Sequence, residues 1–174
     1  MIEFIHMSSE VFRGRPAPVS SEEFRRACGR FATGVTIASV LDAQGVPHGV
    51  TVSSFTSVSL VPPLVSICLG HAVSLIDLFR ASNCFAINIL SENQRPLAER
   101  FARKGHDRFQ GVAWTLGETP VPLIDGVLAA IECRVEQRIP AGDHDIFVGR
   151  MMATRVTEGA PLLHFSGGYQ KLHL

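Results

Sequence analysis

The run Ile131-Glu132-Cys133-Arg134-Val135-Glu136-Gln137-Arg138-Ile139 decides how this chain folds. Ile131, Cys133, Val135 and Ile139 alternate with Glu132, Arg134, Glu136 and Arg138. A period of two puts the first set on one face of a strand and the second on the other, so the run predicts a β-strand with one wet face. Gly142-Asp143-His144-Asp145 follows as a turn, and residues 146–156 resume as strand. Upstream, residues 35–41 and 46–54 flank Asp42-Ala43-Gln44-Gly45, a hairpin loop whose glycine supplies positive φ. Residues 64–69, entered through Pro62-Pro63, residues 84–90 and residues 162–172 read as further strands. Helical periodicity is confined to short pieces. Ser20-Ser21-Glu22-Glu23 forms a capping box ahead of the stripe Phe24, Ala27, Cys28 and Phe31, with Gly34 as its stop. Ser74 can cap a helix carrying Leu75, Leu78 and Phe79, and Ser91 with Gln94 opens another that bears Leu97, Ala98, Phe101 and Ala102. Six or seven strands in hairpin order predict an antiparallel barrel rather than a doubly wound sheet. Residues 1–19 show no period and read as an arm, leaving residues 20–174 as one domain.

Composition narrows the class. Of 174 residues, 46% are hydrophobic and 18% charged, which are globular values. Sixteen Lys+Arg balance 16 Asp+Glu, so no basic excess points to nucleic acid, and little charge repulsion opposes self-association. Cys28, Cys68, Cys84 and Cys133 are scattered in apolar runs without CxxC spacing, which predicts buried, reduced thiols in a cytoplasmic protein and no metal site. The apolar stretch at residues 60–69 is interrupted by Pro62 and Pro63 and is too short to span a bilayer, and the N-terminus lacks a continuous apolar core of a leader.

Several familiar sites are missing: no G-x-G-x-x-G after a strand, no G-x-S-x-G elbow, no H-E-x-x-H. Gly29 and Gly34 have Walker spacing, but Val35-Thr36 stands where Lys-Ser/Thr is required. Adjacent Asp143, His144 and Asp145 cannot all face one metal from a tight turn, and taken alone they read as a surface turn. The unusual stretch is Thr51-Val52-Ser53-Ser54-Phe55-Thr56-Ser57-Val58-Ser59, with six hydroxyls in nine residues. A strand with a wet hydroxyl face accounts for part of it. Ser53-Ser54, however, put hydroxyls on both faces, and hydroxyls with free backbone N–H groups at a strand end can hold a phosphate without Lys or Arg.

Three blocks then carry a resemblance: Arg30-Phe31-Ala32-Thr33-Gly34-Val35-Thr36, Gly49-Val50-Thr51-Val52-Ser53-Ser54-Phe55 and Pro62-Pro63-Leu64-Val65. With Leu97-Ala98-Glu99-Arg100-Phe101-Ala102, Gly142-Asp143-His144 and Gly168-Tyr169 in the same order, the chain resembles the flavin reductases, the small NAD(P)H:flavin oxidoreductases that serve two-component monooxygenases. The resemblance implies a six-stranded antiparallel split β-barrel of Greek-key type with short peripheral helices, acting as a homodimer with FMN or FAD near the interface. It implies hydride transfer from nicotinamide C4 of NADH or NADPH to flavin N5, and delivery of reduced flavin to a separate monooxygenase. By motif position, Thr51, Val52, Ser53 and Ser54 line the isoalloxazine and its phosphate chain. The segment Cys68 to Ser74 after the next strand contributes backbone and hydroxyl contacts, Ser74 foremost, and Arg100 and Ala102 approach the phosphate or ribityl side. His144 sits over the flavin against the nicotinamide, and Tyr169 closes the pocket. Helix capping by Ser74, a solvated helix face for Arg100 and a core position for Tyr169 remain open beside these roles. Val61 stands where relatives often carry Asp, and His164 where they commonly carry an aromatic residue. A flavin-binding electron carrier without nicotinamide turnover is the alternative. A pyridoxamine-phosphate-oxidase relative would need a cluster of basic residues that the chain lacks.

Overall fold

A computed structural model describes residues 18–105 and 107–172, so residues 1–17 of the expected arm lie outside the described residues. The elements run α1 (Ser21–Cys28), β1 (Thr33–Gly34), β2 (Thr36–Leu41), β3 (Pro47–Val52), β4 (Thr56–Ser59), β5 (Leu64–Gly70) and α2 (Ile76–Ala81). They continue as β6 (Cys84–Ile89), α3 (Arg95–Ala102), β7 (Trp114–Leu116), β8 (Pro122–Ile124), β9 (Ala129–Ala141), β10 (His144–Val156), β11 (Leu162–Phe165) and β12 (Gly168–Lys171). Seven strands form one antiparallel sheet in the order β3-β2-β6-β9-β10-β5-β4. The chain is therefore mainly β with short helices, as expected. The ladder itself is open between β3 and β4 among the described residues, so a closed six-stranded barrel is not what the hydrogen bonds draw.

The two expected hairpins form. Asp42 Oδ1 accepts from the amides of Gln44 and Val46, and Gly45 takes φ 77°, which turns β2 into β3. Gly142, at φ 64°, turns β9 into β10. The hydroxyl-rich stretch is not one strand, because β3 ends at Val52, the chain bends at Ser53, and β4 starts at Thr56. Residues 162–172 likewise make a hairpin of two strands rather than a single one.

The two faces of the sheet serve separate cores. Ala38, Val40, Ile67, Leu69, Phe85, Ile131, Cys133 and Phe147 fill the first. The second contains Val35, Ile37, Ala86, Leu90, Ala98, Phe101, Leu123 and Leu162, between the sheet and the pieces laid on it. Asn88 fastens that second layer: its amide nitrogen donates to Ile37 O (3.1 Å) and Ser39 Oγ (2.9 Å), and its oxygen accepts from Ile124 N (2.8 Å). Bonds to both its nitrogen and its oxygen offset the cost of taking this amide out of water.

The wet face expected for β9 exists only in its second half. Glu132 is 2% exposed, because the loop between β7 and β8 closes over it. Its carboxylate accepts from Glu118 N (3.1 Å), Thr119 N (2.6 Å) and Thr119 Oγ1 (2.8 Å). Ile139, expected inside, is 42% exposed, because β9 there has run past the end of β6, which pairs with it only as far as Arg134.

Helix α1 forms on its capping box, with Ser20 Oγ accepting from Glu23 N and Glu23 reaching back to Ser20 N. It ends at Gly29 rather than Gly34, and Gly34 joins β1 instead. None of its residues is buried; Phe24 is 61% exposed, and Phe31 just beyond it 78%. Among the cysteines Cys133 is buried as expected, Cys68 and Cys84 are half-buried, and Cys28 is exposed because α1 does not lie on the core.

Candidate active site

A cleft of about 270 Å³ opens where the ends of β3 and β5 meet the start of β10. Val50, Thr51, Val52, Ser53 and Ser54 form one side, Cys68, Leu69, Gly70 and Val73 the other, and His144 stands at the mouth. Six candidate residues from the sequence come together here: Thr51, Val52, Ser53, Ser54, Cys68 and His144.

Their hydroxyls do different things. Ser54 Oγ donates to Cys68 O (3.0 Å) and accepts from Cys68 N (2.9 Å), so it stitches the chain after β3 to β5 where the ladder is open. Thr51 Oγ1 donates to Ala98 O (2.7 Å) and ties α3 to β3. Ser53 is exposed and makes no side-chain hydrogen bond among the described residues, which leaves its hydroxyl for a ligand. Burial pushes the Cys68 thiol up, so at neutral pH it is a neutral apolar wall and not a nucleophile.

His144 is held by its neighbours. Its Nδ1 lies 2.8 Å from Asp143 Oδ1, and this hydrogen bond keeps the Asp143 carboxyl below the usual carboxylate range. A carboxylate can only accept, so Nδ1 carries the proton and neutral His144 presents a bare Nε2. Gly70 is the residue opposite His144 in the β5–β10 ladder. A Cβ there would stand 3.3 Å from His144 Nε2 and 3.6 Å from its Cε1, so the missing side chain is what lets the ring lie against the end of β5. Gly70→Ala is expected to cost less than about 1 kcal/mol of stability, since the ring can swing away. Turnover should fall about fivefold, because a displaced group is misaligned. Thermal melts and steady-state rates check this, and an unchanged rate would mean the ring position is unimportant.

The other four candidates lie elsewhere on the protomer. Ser74 is exposed and caps nothing: α2 starts one residue later than expected, with Leu75 at its cap position and no side-chain bond there. Arg100 donates from Nη1 to Gln110 O (2.8 Å) and lines a separate cleft of about 350 Å³ with Arg103, Lys104 and Arg108. Ala102 is exposed at the end of α3. Tyr169 packs on the second core, its ring 5.8 Å from that of His164 and 5.7 Å from the Arg95 guanidinium. A larger cleft of about 410 Å³, along Val46, Pro47, His48 and Gly49, shares Gly105, Asp107 and Arg108 with the Arg100 cleft. It lies along the start of β3, whereas the 270 Å³ cleft, which holds the hydroxyls and His144, lies at the end of that strand.

Sequence reasoning passed over Arg108, and it reached Gly70 and Val73 only as part of the segment Cys68 to Ser74, without a role of their own. Gly70 becomes visible only through its register with His144. Arg108 donates to Gly49 O (2.7 Å), a contact between residues far apart in the chain.

A family described as flavin reductase like domain matches residues 28–173. The chain belongs to that family. An FMN reductase (NADH), SmoA, of Agrobacterium fabrum is 41% identical over 97% of this chain and 94% of its own length. A probable flavin reductase of Rhizobium meliloti is 42% identical over 94% of this chain; the chain spans about half the length (50%) of that relative. Among solved structures, the styrene monooxygenase flavin reductase of Pseudomonas putida S12 superposes with a TM-score of 0.80 at 34% identity, over 87% of this chain and 97% of that one. The family membership accords with the resemblance carried by the short motifs, and the match covers the whole sheet. Among the described residues no helix is long and apolar enough to cross a membrane, and no group of three or more His, Cys, Asp or Glu is placed to hold a metal.

Proposed function

We propose that this chain is an NAD(P)H:flavin oxidoreductase that reduces FMN or FAD and supplies the reduced flavin to a separate monooxygenase. The observation that carries the reading is the cleft that joins Thr51, Val52, Ser53 and Ser54 to Cys68, Gly70 and His144. The residues fit a flavin. One wall is apolar, one hydroxyl is unspent, and a bare strand end at Gly70 leaves room beside an imidazole. When bound, the flavin supplies the redox chemistry, accepting at N5 the hydride released from nicotinamide C4.

The protein's part is to bind, orient and exclude water. Val50 and Val52 form a dry floor. Ser53 offers a hydroxyl to the polar edge of the ring or its chain, and Ser54 keeps the two walls together. His144, fixed through Nδ1 by Asp143, places its ring face and Nε2 at the mouth, where the nicotinamide stacks. Hydride transfer needs two rings in near contact and no side-chain acid or base, which is why no catalytic dyad lines the cleft. Cys68 serves the flavin's ring, and Arg100 and Ala102, at the end of α3 outside this cleft, its phosphate end, while Ser74 and Tyr169 line no part of the cleft.

A cleft of about 270 Å³ is below the usual range for a whole cofactor site, roughly 300–1,000 Å³. The exposed Phe24 and Phe31 on and beside α1 add unpaired apolar surface. Both support a homodimer in which a second copy completes each site and the open ladder works as a six-stranded split barrel. The styrene monooxygenase reductase supports the separate oxygenase partner. The domain is taken to run from residue 20 to 174, in the cytoplasm, in keeping with its free thiols. An electron carrier lacking nicotinamide turnover is the second reading, distinguished by the Gly142-Asp143-His144 turn.

The test is oxidation of NADH or NADPH followed at 340 nm (the nicotinamide band) with FMN or FAD added. Turnover with at least one pair is expected. Flavin binding without turnover for any pair would select the carrier reading, and absence of both would overturn the proposal.

A further inference from the structure

We propose that His71 and Asp145 form a latch that holds the segment between β5 and α2 as a wall of the flavin cleft, making both positioning residues for flavin binding. The inference rests on the flavin reductase reading above and adds residues that reading does not use.

His144 and Asp145 are consecutive in β10, so their side chains leave opposite faces of the sheet. His144 turns to the cleft. Asp145 turns inward, is 6% exposed, and has both carboxylate oxygens taken from the neighbouring segment. Oδ2 accepts from Arg80 Nε at 2.7 Å, and Oδ1 lies 3.0 Å from His71 Nε2. A carboxylate can only accept, so Nε2 is the protonated nitrogen of His71. The Arg80 guanidinium, and after it His71, hold the Asp145 carboxyl below its usual range, so the anion is present at neutral pH.

The placement matters because of what lies between the two donors. His71 directly follows Gly70, the residue opposite His144, and Arg80 sits on α2. One buried anion therefore grips both ends of a stretch that carries Val73 into the cleft wall. Apolar packing holds the α2 end, where Ile76 and Phe79 are buried in the first core and Val73, Leu75 and Leu78 pack against it, so at the His71 end the latch is joined mainly by backbone bonds. His71 N donates to Asp143 O (2.9 Å), Val73 N to Gly70 O (3.0 Å) and Ile76 N to Val73 O (3.0 Å), and α2 has no side-chain cap. Placing a carboxylate out of water is costly unless it is paired, so the latch is specific in its partners. The same dipeptide thus presents the imidazole to the site and fastens the wall opposite it.

His71→Ala is the first test, because its side chain is 41% exposed and its loss opens no core cavity. Titration of flavin fluorescence with FMN and with FAD should show the dissociation constant rising about tenfold. kcat at saturating flavin should stay within about twofold, and the KM for NAD(P)H likewise. The melting temperature should move by no more than about 2 °C. His71→Gln, which restores a donor of similar reach, should recover most of the affinity, and Asp145→Asn should weaken flavin binding in the same direction. An unchanged flavin dissociation constant in His71→Ala, with the wild type binding and turning over flavin, would overturn the latch alone. A fall in melting temperature with kcat and affinity lost together, and no recovery in His71→Gln, would also overturn it in favour of a general structural role. Failure of the wild type to bind flavin would overturn the underlying reading instead.

Discussion

His144→Ala is expected to lower kcat/KM for NAD(P)H about a hundredfold while the flavin dissociation constant stays within about threefold. The imidazole stands at the mouth of the cleft, half-exposed, and is held through Nδ1 by Asp143 and against Gly70 on the facing strand. A group there meets the second ring to arrive rather than the one on the floor. Its removal costs alignment of donor and acceptor, for which a misplacement of about 1 Å is worth about a hundredfold in rate. Stopped-flow hydride transfer and fluorescence titration of flavin separate the two effects. Equal losses in both would put His144 against the flavin itself. The double variant with Gly70→Ala adds a check: once the ring is gone, an alanine opposite it has nothing to displace, so the two effects should not add.

Glu132→Ala is expected to cost about 3 kcal/mol, read from urea or thermal unfolding. The residue touches no part of the cleft. Its carboxylate accepts two amides and a hydroxyl from Glu118 and Thr119, and removing it strands those donors beneath the loop between β7 and β8. Burial by itself pushes this carboxyl up, but the Thr119 and Glu118 bonds, with Arg155 nearby, outweigh it and leave the group below its ordinary value. The folded-state pKa therefore lies under the unfolded one, about 4.3. The stabilisation is complete above the unfolded value and is lost as pH falls through the folded one. Glu132→Gln should accordingly show a flatter loss of stability below about pH 5 than the wild type. Parallel acid limbs in the two proteins would show that the Glu132 carboxyl titrates alike in the folded and unfolded chain, against the lowering expected here.

Glu132 also shows how much of this fold was legible. The alternation that made residues 131–139 a strand was right about the strand and wrong about this residue's environment. A period of two reports which face a side chain takes, not what later covers that face. The same limit applies to Phe24 and Phe31, whose helical spacing marked an apolar stripe but not its partner, and this protomer leaves both uncovered. Local chemistry was more readable. The capping box at Ser20 and the Asp42–Gly45 turn act through residues within four positions of one another, and both formed as expected.

For the site, the cluster of hydroxyls at Thr51 to Ser59 was visible as composition, and His144 only through the resemblance of its turn to that of the flavin reductases. That the two meet follows from β5 pairing with β10, which sets Gly70 opposite His144. Ser53 and Ser54 were read as facing both ways, and the structure gives each direction a purpose: one hydroxyl is left free and the other stitches β3 to β5.

By itself, then, the amino-acid sequence determined a mainly β chain with short helices, no basic excess, and the motif order of a flavin reductase. These are properties of spacing and residue type, which act over a few positions. Only the tertiary structure decided that the long sheet stays open between β3 and β4, that β9 is buried at one end and wet at the other, and that Asp145 reaches back to His71 and Arg80. The physical reason is register: a shift of one residue between β5 and β10 would exchange the faces of His144 and Asp145, and with them the cleft and its latch.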